Sequence, residues 1–314
     1  MLRGLNAAAS GMIAGWRRQE VLAENLSNLE TPGYKADEAV SRAFPEMLIA
    51  RLRDDGAPVP LGSTYNGVYI HETVPRFTPG AVVQTGRPLD VAILDHLDPE
   101  VLRATLGAPS ASAVPFFAVQ PAGGGGNIAF TRDGRFTLDP DGYLATMQGD
   151  RVLVFDEDAF GRPTGAPHPL SVDFGGAYYA LTIDTDGRVR LTDPGAPEYA
   201  LTYRLATAVF MNRPYPAPAG DPTANVPNAY DLVKDEGNRL AFRGGAQPVW
   251  IGVDGRFPSA ALRLMPGAYE ASNVDTAEAM TQALAAYRYY EANQRALLTI
   301  DQTLARLVND VGKV

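Results

Sequence analysis

The chain has no cysteine among its 314 residues, which excludes disulfides and thiolate metal sites. Such a chain suits the cytoplasm, and equally export in unfolded form into an oxidising space. Lysine is almost missing: Lys35, Lys234 and Lys313 are the only three. With a net charge of −9 and no cluster of Lys and Arg, nothing resembles a phosphate-binding surface, so nucleic acid is not an expected partner. No stretch approaches the ~20 consecutive apolar residues of a spanning helix, and no membrane insertion is expected. The N-terminus lacks a secretory leader's apolar core, because Arg17, Arg18, Glu20 and Glu24 interrupt it. A specialised route that reads an uncleaved N-terminus stays open.

Catalytic signals are also missing. His71, His96 and His168 lie far apart, with no ligand-spaced partner, so no metal site is expected. No serine sits in a G-x-S-x-G elbow, and there is no thiol nucleophile. The glycine run Gly123 to Gly126 is not followed by the Lys-Ser/Thr of a phosphate loop. Asp184-Thr185-Asp186-Gly187 opens like a calcium loop. Arg188 and Gly195 stand where that loop needs a ligand and a terminal Glu, so a plain hairpin turn is the better reading. The expectation is a non-enzyme with no catalytic residue, no cofactor and no small-molecule substrate.

What the chain does have is an apolar seam at each end. Near the C-terminus Ala279, Ala283, Ala286, Tyr290, Asn293, Leu297, Ile300, Leu304, Leu307 and Val311 alternate at spacings of four and three, with Asn293 the one polar member. Near the N-terminus Leu5, Ala9, Met12, Trp16, Gln19, Ala23 and Leu26 do the same. A sustained 3.5-residue period belongs to a coiled coil or helix bundle, not to a catalytic site. A two-helix stalk packed only on itself is the simpler reading. However, Met280, Leu284, Tyr287, Leu298 and Val308 flank the C-terminal seam, and one partner helix cannot cover all of these strips. The seams therefore predict a subunit that assembles through its ends, and Asn293 is a candidate for fixing helix register.

The N-terminal helix is expected over 2–28, about 40 Å long. Thr31-Pro32-Gly33-Tyr34 follows as a turn in which Gly33 takes positive φ. A short helix is expected around Phe44 to Leu52, and 54–66 reads as loop. From 67 to 257 the pattern is of short strands, rich in β-branched and aromatic residues and punctuated by 31 glycines and 25 prolines in the whole chain. Tight turns are expected at Asp133-Gly134, Asp141-Gly142, Asp186-Gly187 and Asp254-Gly255. Tyr203 to Met211 reads as one strand, and 213–229 as an irregular excursion. The last helix starts near Asp275, capped by it with Glu278 three residues on, and ends at Gly312. The expected fold class is α+β: a mainly-β centre flanked by long terminal helices that pack together as a coiled-coil-like assembly domain. The expected divisions are 1–33 and 258–314 as the two halves of the helical domain, 34–80 as connector, and 81–257 as the β-rich outer domain with a 94–114 insert.

Several segments together resemble the bacterial flagellar axial family, the rod and hook proteins of the basal body. They are Leu5 to Met12 running through Glu24-Asn25-Leu26-Ser27-Asn28 to Thr31-Pro32-Gly33-Tyr34-Lys35; Gly86 to Ile93; Phe116 to Gln120; Phe130-Thr131-Arg132-Asp133-Gly134-Arg135-Phe136 through Leu144; and Tyr269 to Asp275 with Tyr290 to Arg295. Rod-type members fit best by length and central motifs. The sequence departs from the family at Glu24, at the 94–114 insert and at 213–229. The resemblance implies a structural subunit of a hollow helical tube that transmits torque and passes exported subunits. It also implies export through the flagellar type III apparatus, copies of itself and other rod or hook subunits as partners, and a place in the basal body outside the cytoplasm. Leu5, Ala9, Met12, Trp16, Leu26, Tyr290, Asn293, Leu297, Ile300, Leu304 and Leu307 would form the assembly interface, with Thr31 to Tyr34 as connector turn. Two alternatives stay open: a hook or proximal-rod member of the same family, and a secreted β-domain hydrolase or glycan binder on a helical stalk.

Overall fold

The structure, a computed structural model, describes residues 2–52, 58–64, 66–94, 112–123, 127–158, 160–174, 177–178, 180–193, 196–212, 226–235, 237–244, 247–253, 257 and 262–311. Most of the 94–114 insert, residues 124–126 of the glycine run, 213–225, the Asp254-Gly255 turn and Gly312 lie outside the described residues. The fold is α+β, mainly β with a helix at each end. Two compact units share the chain: Met1–Leu29, Ala36–Arg76 and Val274–Val314 make the first, Glu30–Lys35 and Phe77–Asn273 the second. The stretch 34–80, expected as connector, is thus divided between them.

In the first unit the N-terminal helix, Leu2–Ser27, packs on the C-terminal helix, Thr276–Val311. Asp275 Oδ1 accepts from the backbone N–H of Ala277 and Glu278, capping the second helix as its sequence predicts. An antiparallel pair of strands, Asp37–Ala43 and Val68–Pro75, lies against the N-terminal helix, and a second hairpin pairs Met47–Leu52 with Pro58–Thr64. The helix expected around Phe44 to Leu52 is therefore corrected to a strand over Met47–Leu52, and the loop expected over 54–66 to a strand over Pro58–Thr64, while 54–57 and 65 lie outside the described residues. Apolar spacing over so short a stretch cannot separate helix from strand, and pairing with residues beyond the turn decides it. Pro58, Pro60 and Gly62 fit because each strand of this two-stranded sheet has a free edge and the register shifts at Ile49/Ala50.

The second unit is built on a 13-stranded sheet. Its central strand, Ser112–Gln120, is apolar from Ala113 to Val119 because both faces are covered there. Phe117 and Val119 enter one buried cluster with Phe136, Leu144, Val154 and Val189, while Phe116 and Ala118 enter another with Phe130, Phe155, Phe210 and Leu232. Successive side chains point to opposite faces, so a strand between two cores must be apolar at every position. Burying one such phenylalanine stabilises by about 1.5–3 kcal/mol.

The Asp139–Gly142 turn joins Phe136–Leu138 to Leu144–Thr146, and the Asp184–Gly187 turn joins Ala180–Ile183 to Arg188–Asp193; Gly142 and Gly187 have φ of 80° and 82°. Asp133-Gly134 is not such a hairpin: Ala129–Thr131 pairs with Ser112–Gln120 and Arg239–Phe242 instead. Gly134 is needed there because a Cβ would stand 1.7 Å from the Val91 carbonyl oxygen. The stretch read as one strand from Tyr203 to Met211 is two, Ala196–Leu205 and Thr207–Asn212, parted at Ala206. Pro163–Pro169, whose prolines hide it from propensity reading, is a strand that among the described residues pairs with Arg151–Glu157 alone.

Candidate functional site

The helix pair is antiparallel, and its contact line on the N-terminal helix is made of small residues. A Cβ on Gly4 would touch Ile300 Cδ1 at 3.4 Å, one on Gly15 would meet Tyr289 and Tyr290 at 3.3 and 3.4 Å, and one on Gly11 would stand 2.7 Å from Asn293 Oδ1. Ala8, Ala14 and Leu22 are buried on this helix. The line Gly4, Ala8, Gly11, Gly15, Leu22 keeps the four-and-three spacing one position behind the seam read from sequence, about 100° around the helix. Leu5, Ala9, Met12 and Leu26 consequently flank the contact, half-buried, and Trp16 is 51% exposed. On the C-terminal helix Tyr290, Asn293, Leu297, Ile300 and Leu304 are half-buried, and Leu307 is exposed. Asn293 meets its own polar need by donating from Nδ2 to the Tyr289 carbonyl at 2.8 Å, in the space Gly11 leaves. The sequence signal that could have found the contact line was the run of glycines. Periodicity arguments that count only large apolar residues pass over it.

Asn25 closes the N-terminal helix onto the first strand. Its side chain donates to the Asp37 carbonyl and accepts from the Asp37 N–H, both at 2.8 Å, as a neighbouring strand would.

In the second unit the Thr31–Tyr34 turn is a buried peg. Tyr34 N–H donates to the Thr31 carbonyl, and Gly33 has φ of 67°, as Pro-Gly predicts. Pro32, Gly33, Tyr34 and Lys35 are buried. Gly33 N–H donates to the Glu270 carbonyl at 2.8 Å, and Asn238 Nδ2 donates to the Pro32 carbonyl at 2.7 Å. Beside it lies a charged centre. Lys35 Nζ is 2.6 Å from Glu270 Oε1, Arg132 Nη1 is 3.1 Å from Glu270 Oε2, and Gly80 N–H donates to Oε1 at 2.8 Å. All three side chains are at most 2% exposed. Burial alone would push the Glu270 carboxyl up; the Arg132 and Lys35 charges and the Gly80 N–H outweigh it and hold the carboxyl below its ordinary value. Nearby Asp133 behaves oppositely: burial pushes it up, against Arg135 and Asn238. Arg132 also lies over the Phe116 ring, 5.4 Å from its centroid. Lys35, Arg132, Asn238 and Glu270 carry no catalytic spacing, and residue-by-residue reading assigns them no role.

Among the described residues no group of three or more His, Cys, Asp and Glu could hold a metal, and no helix is long and apolar enough to cross a membrane.

Three family models match the chain. They are described as flagella basal body rod protein over residues 5–35, flagellar hook protein FlgE/F/G D1 domain over 114–191, and flagellar basal body rod FlgEFG protein C-terminal over 265–310. The chain is 30% identical over 318 residues to the flagellar hook-basal body complex protein FlhO of Bacillus subtilis (strain 168), covering 100% of both. It belongs to the flagellar basal-body rod and hook protein family. Other members similar to it include the flagellar basal-body rod protein FlgG of Agrobacterium fabrum, 26% identical over 309 residues with 96% of each chain covered. Another is the flagellar basal-body rod protein FlgF of Salmonella typhimurium, 28% identical with 92% of this chain and 90% of that one covered. In this rod and hook family member the three matched segments meet at the buried centre: Lys35 comes from the first, Arg132 from the second and Glu270 from the third.

Proposed function

We propose that this chain is a structural subunit of the flagellar basal-body rod, built by its paired terminal helices into a hollow axial tube. The tube transmits torque and passes exported subunits. The observation that carries this reading is the full-length similarity to rod proteins, joined with terminal helices that leave large apolar side chains in water. Ile13, Trp16, Met280, Leu284, Tyr287, Leu298 and Val308 are 50–71% exposed. A subunit that stays alone gains nothing by presenting them. In this reading Leu5, Ala9, Met12, Trp16, Leu26 and the C-terminal seam from Tyr290 to Leu307 meet neighbouring subunits, Thr31 to Tyr34 serve as connector turn, and the flagellar type III apparatus exports the chain with its N-terminus uncleaved. A heterologous, non-closing contact gives an open helical filament.

Met280→Asp with Leu284→Asp tests the reading. Both side chains are exposed, so the isolated chain keeps its stability to within ~0.5 kcal/mol. In cells where the variant replaces the natural chain, we expect it to be missing from isolated basal bodies and motility to be lost. A motile strain whose basal bodies contain the variant at the natural level would overturn the role assigned to this face.

A further inference from the structure

The first and last segments of the second unit hold each other. The Asn273 N–H donates to the Tyr34 carbonyl at 3.3 Å, and the Gly33 N–H to the Glu270 carbonyl at 2.8 Å. Both segments run on into helices. Residues 28–30 alone separate the peg from Ser27, and 274–275 alone separate the last segment from Thr276. That last segment, 267–273, lies across the surface, with only Ala268 and Glu270 buried. An alanine adds little apolar area. Ala268–Glu270 pairs with Val82–Gln84 as a sheet of two strands, an arrangement marginal by itself. Its firmest anchors are polar. The Glu270 carboxylate takes Lys35, Arg132 and the Gly80 N–H, and Asn273 Nδ2 donates to the Thr78 carbonyl and hydroxyl, both at 3.0 Å.

We propose that 267–273 is a strap latched by the Glu270 carboxylate, and that its closure controls the pairing of the two terminal helices. Latched, the strap holds the point where the chain leaves for the C-terminal helix beside the peg that leads to the N-terminal one, on a tether of two residues. Unlatched, that tether grows to 267–275. Effective concentration falls roughly as the 3/2 power of tether length, so helix pairing weakens about tenfold. The pair is sensitive to such a loss because the N-terminal helix brings largely glycine and alanine to the contact. The strap's partners at 33–35 and 78–84 precede it across the whole sheet, so it closes last in a chain that emerges N-terminus first. Helix pairing is thereby coupled to completion of the second unit. The device belongs to the separate chain and stands apart from the rod-subunit reading.

The absence of cysteine makes a direct test available, because a placed pair can form only one disulfide. Gln84 and Ala268 are opposite each other. The ladder bonds run from Thr85 to Gly267 and from Ala271 to Ala81, which leaves Gln84 and Ala268 a non-hydrogen-bonded pair with Cα atoms about 4.5 Å apart, within reach of a disulfide. Gln84→Cys with Ala268→Cys is therefore a lock on the strap. The full-length chain carrying Glu270→Gln is compared without the lock, with it reduced and with it oxidised, and amide exchange of Leu2–Ser27 and Thr276–Val311 is followed by mass spectrometry. Glu270→Gln is expected to lower helical protection about tenfold. The loss should persist with the lock reduced and recover to within twofold when it is oxidised. Asn273→Ala, which removes both bonds to Thr78, is run beside it and decides the matter where Glu270→Gln does not fold. A smaller loss, also restored by oxidation, is expected there. Helical protection unchanged in a variant whose 267–273 amides have lost theirs, or a loss that oxidation leaves in place, overturns the proposal. Either result leaves the rod-subunit reading untouched.

Discussion

Glu270 is the residue on which most of the second unit's buried charge depends. Removing it leaves Lys35 and Arg132 without their carboxylate, and breaking a buried pair in this way costs on the order of 3–5 kcal/mol. Glu270→Gln should lower stability by that amount at neutral pH, read by urea denaturation. The pH dependence has a definite sign. The carboxyl is held below its ordinary value in the folded chain. Its stabilisation is therefore complete above the unfolded carboxylate pKa of about 4.3 and is lost as pH falls through the lowered folded value. The gap between natural chain and variant should close as pH falls below that range. A gap that stays constant down to strongly acid pH would show that Glu270 acts by shape alone. Asp133, raised by burial, works the other way: it costs stability as pH rises from its unfolded value through its raised folded one, so the substitution must be at position 270 to separate the two. Gly33 makes a sharper geometric case. A Cβ there would stand 2.4 Å from the backbone of Arg132 and Asp133, at φ of 67°. Gly33→Ala should lose at least about 1–3 kcal/mol, again in urea, whereas Gly86→Ala, at similar φ with open space around it, should lose less.

Among the elements, the two helices show how close approach is obtained. The C-terminal helix brings large side chains and the N-terminal helix brings glycines to meet them. Gly11→Val places a branched side chain where Asn293 already sits 2.7 Å from a Cβ. Overpacking of this kind costs typically 1–3 kcal/mol. Loss of helical ellipticity at lower temperature than in the natural chain, with the sheet's near-ultraviolet signal unchanged, is the expected result. The neighbouring change Ala9→Val, on the flanking face, should be nearly neutral. Equal effects at positions 9 and 11 would place the contact line back on the large-residue seam.

The two units of the whole molecule bury themselves to different extents. The strands between two cores have side chains at 0% exposure on both faces, while the terminal helices leave long faces in water. Regions with few buried contacts open first. In a dilute solution of the separate chain, amides of Leu2–Ser27 and Thr276–Val311 should exchange faster than those of Ser112–Gln120 and Arg151–Glu157. Incorporation into basal bodies should slow the helical amides selectively. Helical protection in the separate chain equal to that of the central strands would mean that the ends need no partner for their order.

Much of this was readable in the residues. Both helices, the Asp275 cap, the positive φ of Gly33 and two aspartate–glycine turns follow from local chemistry within a few positions, where periodicity, capping and glycine's freedom decide. The family, too, is legible, because its segments keep their order along the chain. What tertiary structure alone decided is whatever depends on residues distant in sequence. Which helical face meets which was settled by steric room at Gly4, Gly11 and Gly15, not by the count of large apolar residues. Asp37–Ala43, Met47–Leu52 and Pro58–Thr64 became strands because their partners lie beyond the turns. The charged centre exists because Lys35, Arg132 and Glu270, each about a hundred residues or more from the next, are brought within hydrogen-bonding distance, and no local rule encodes which buried cation a buried carboxylate will find.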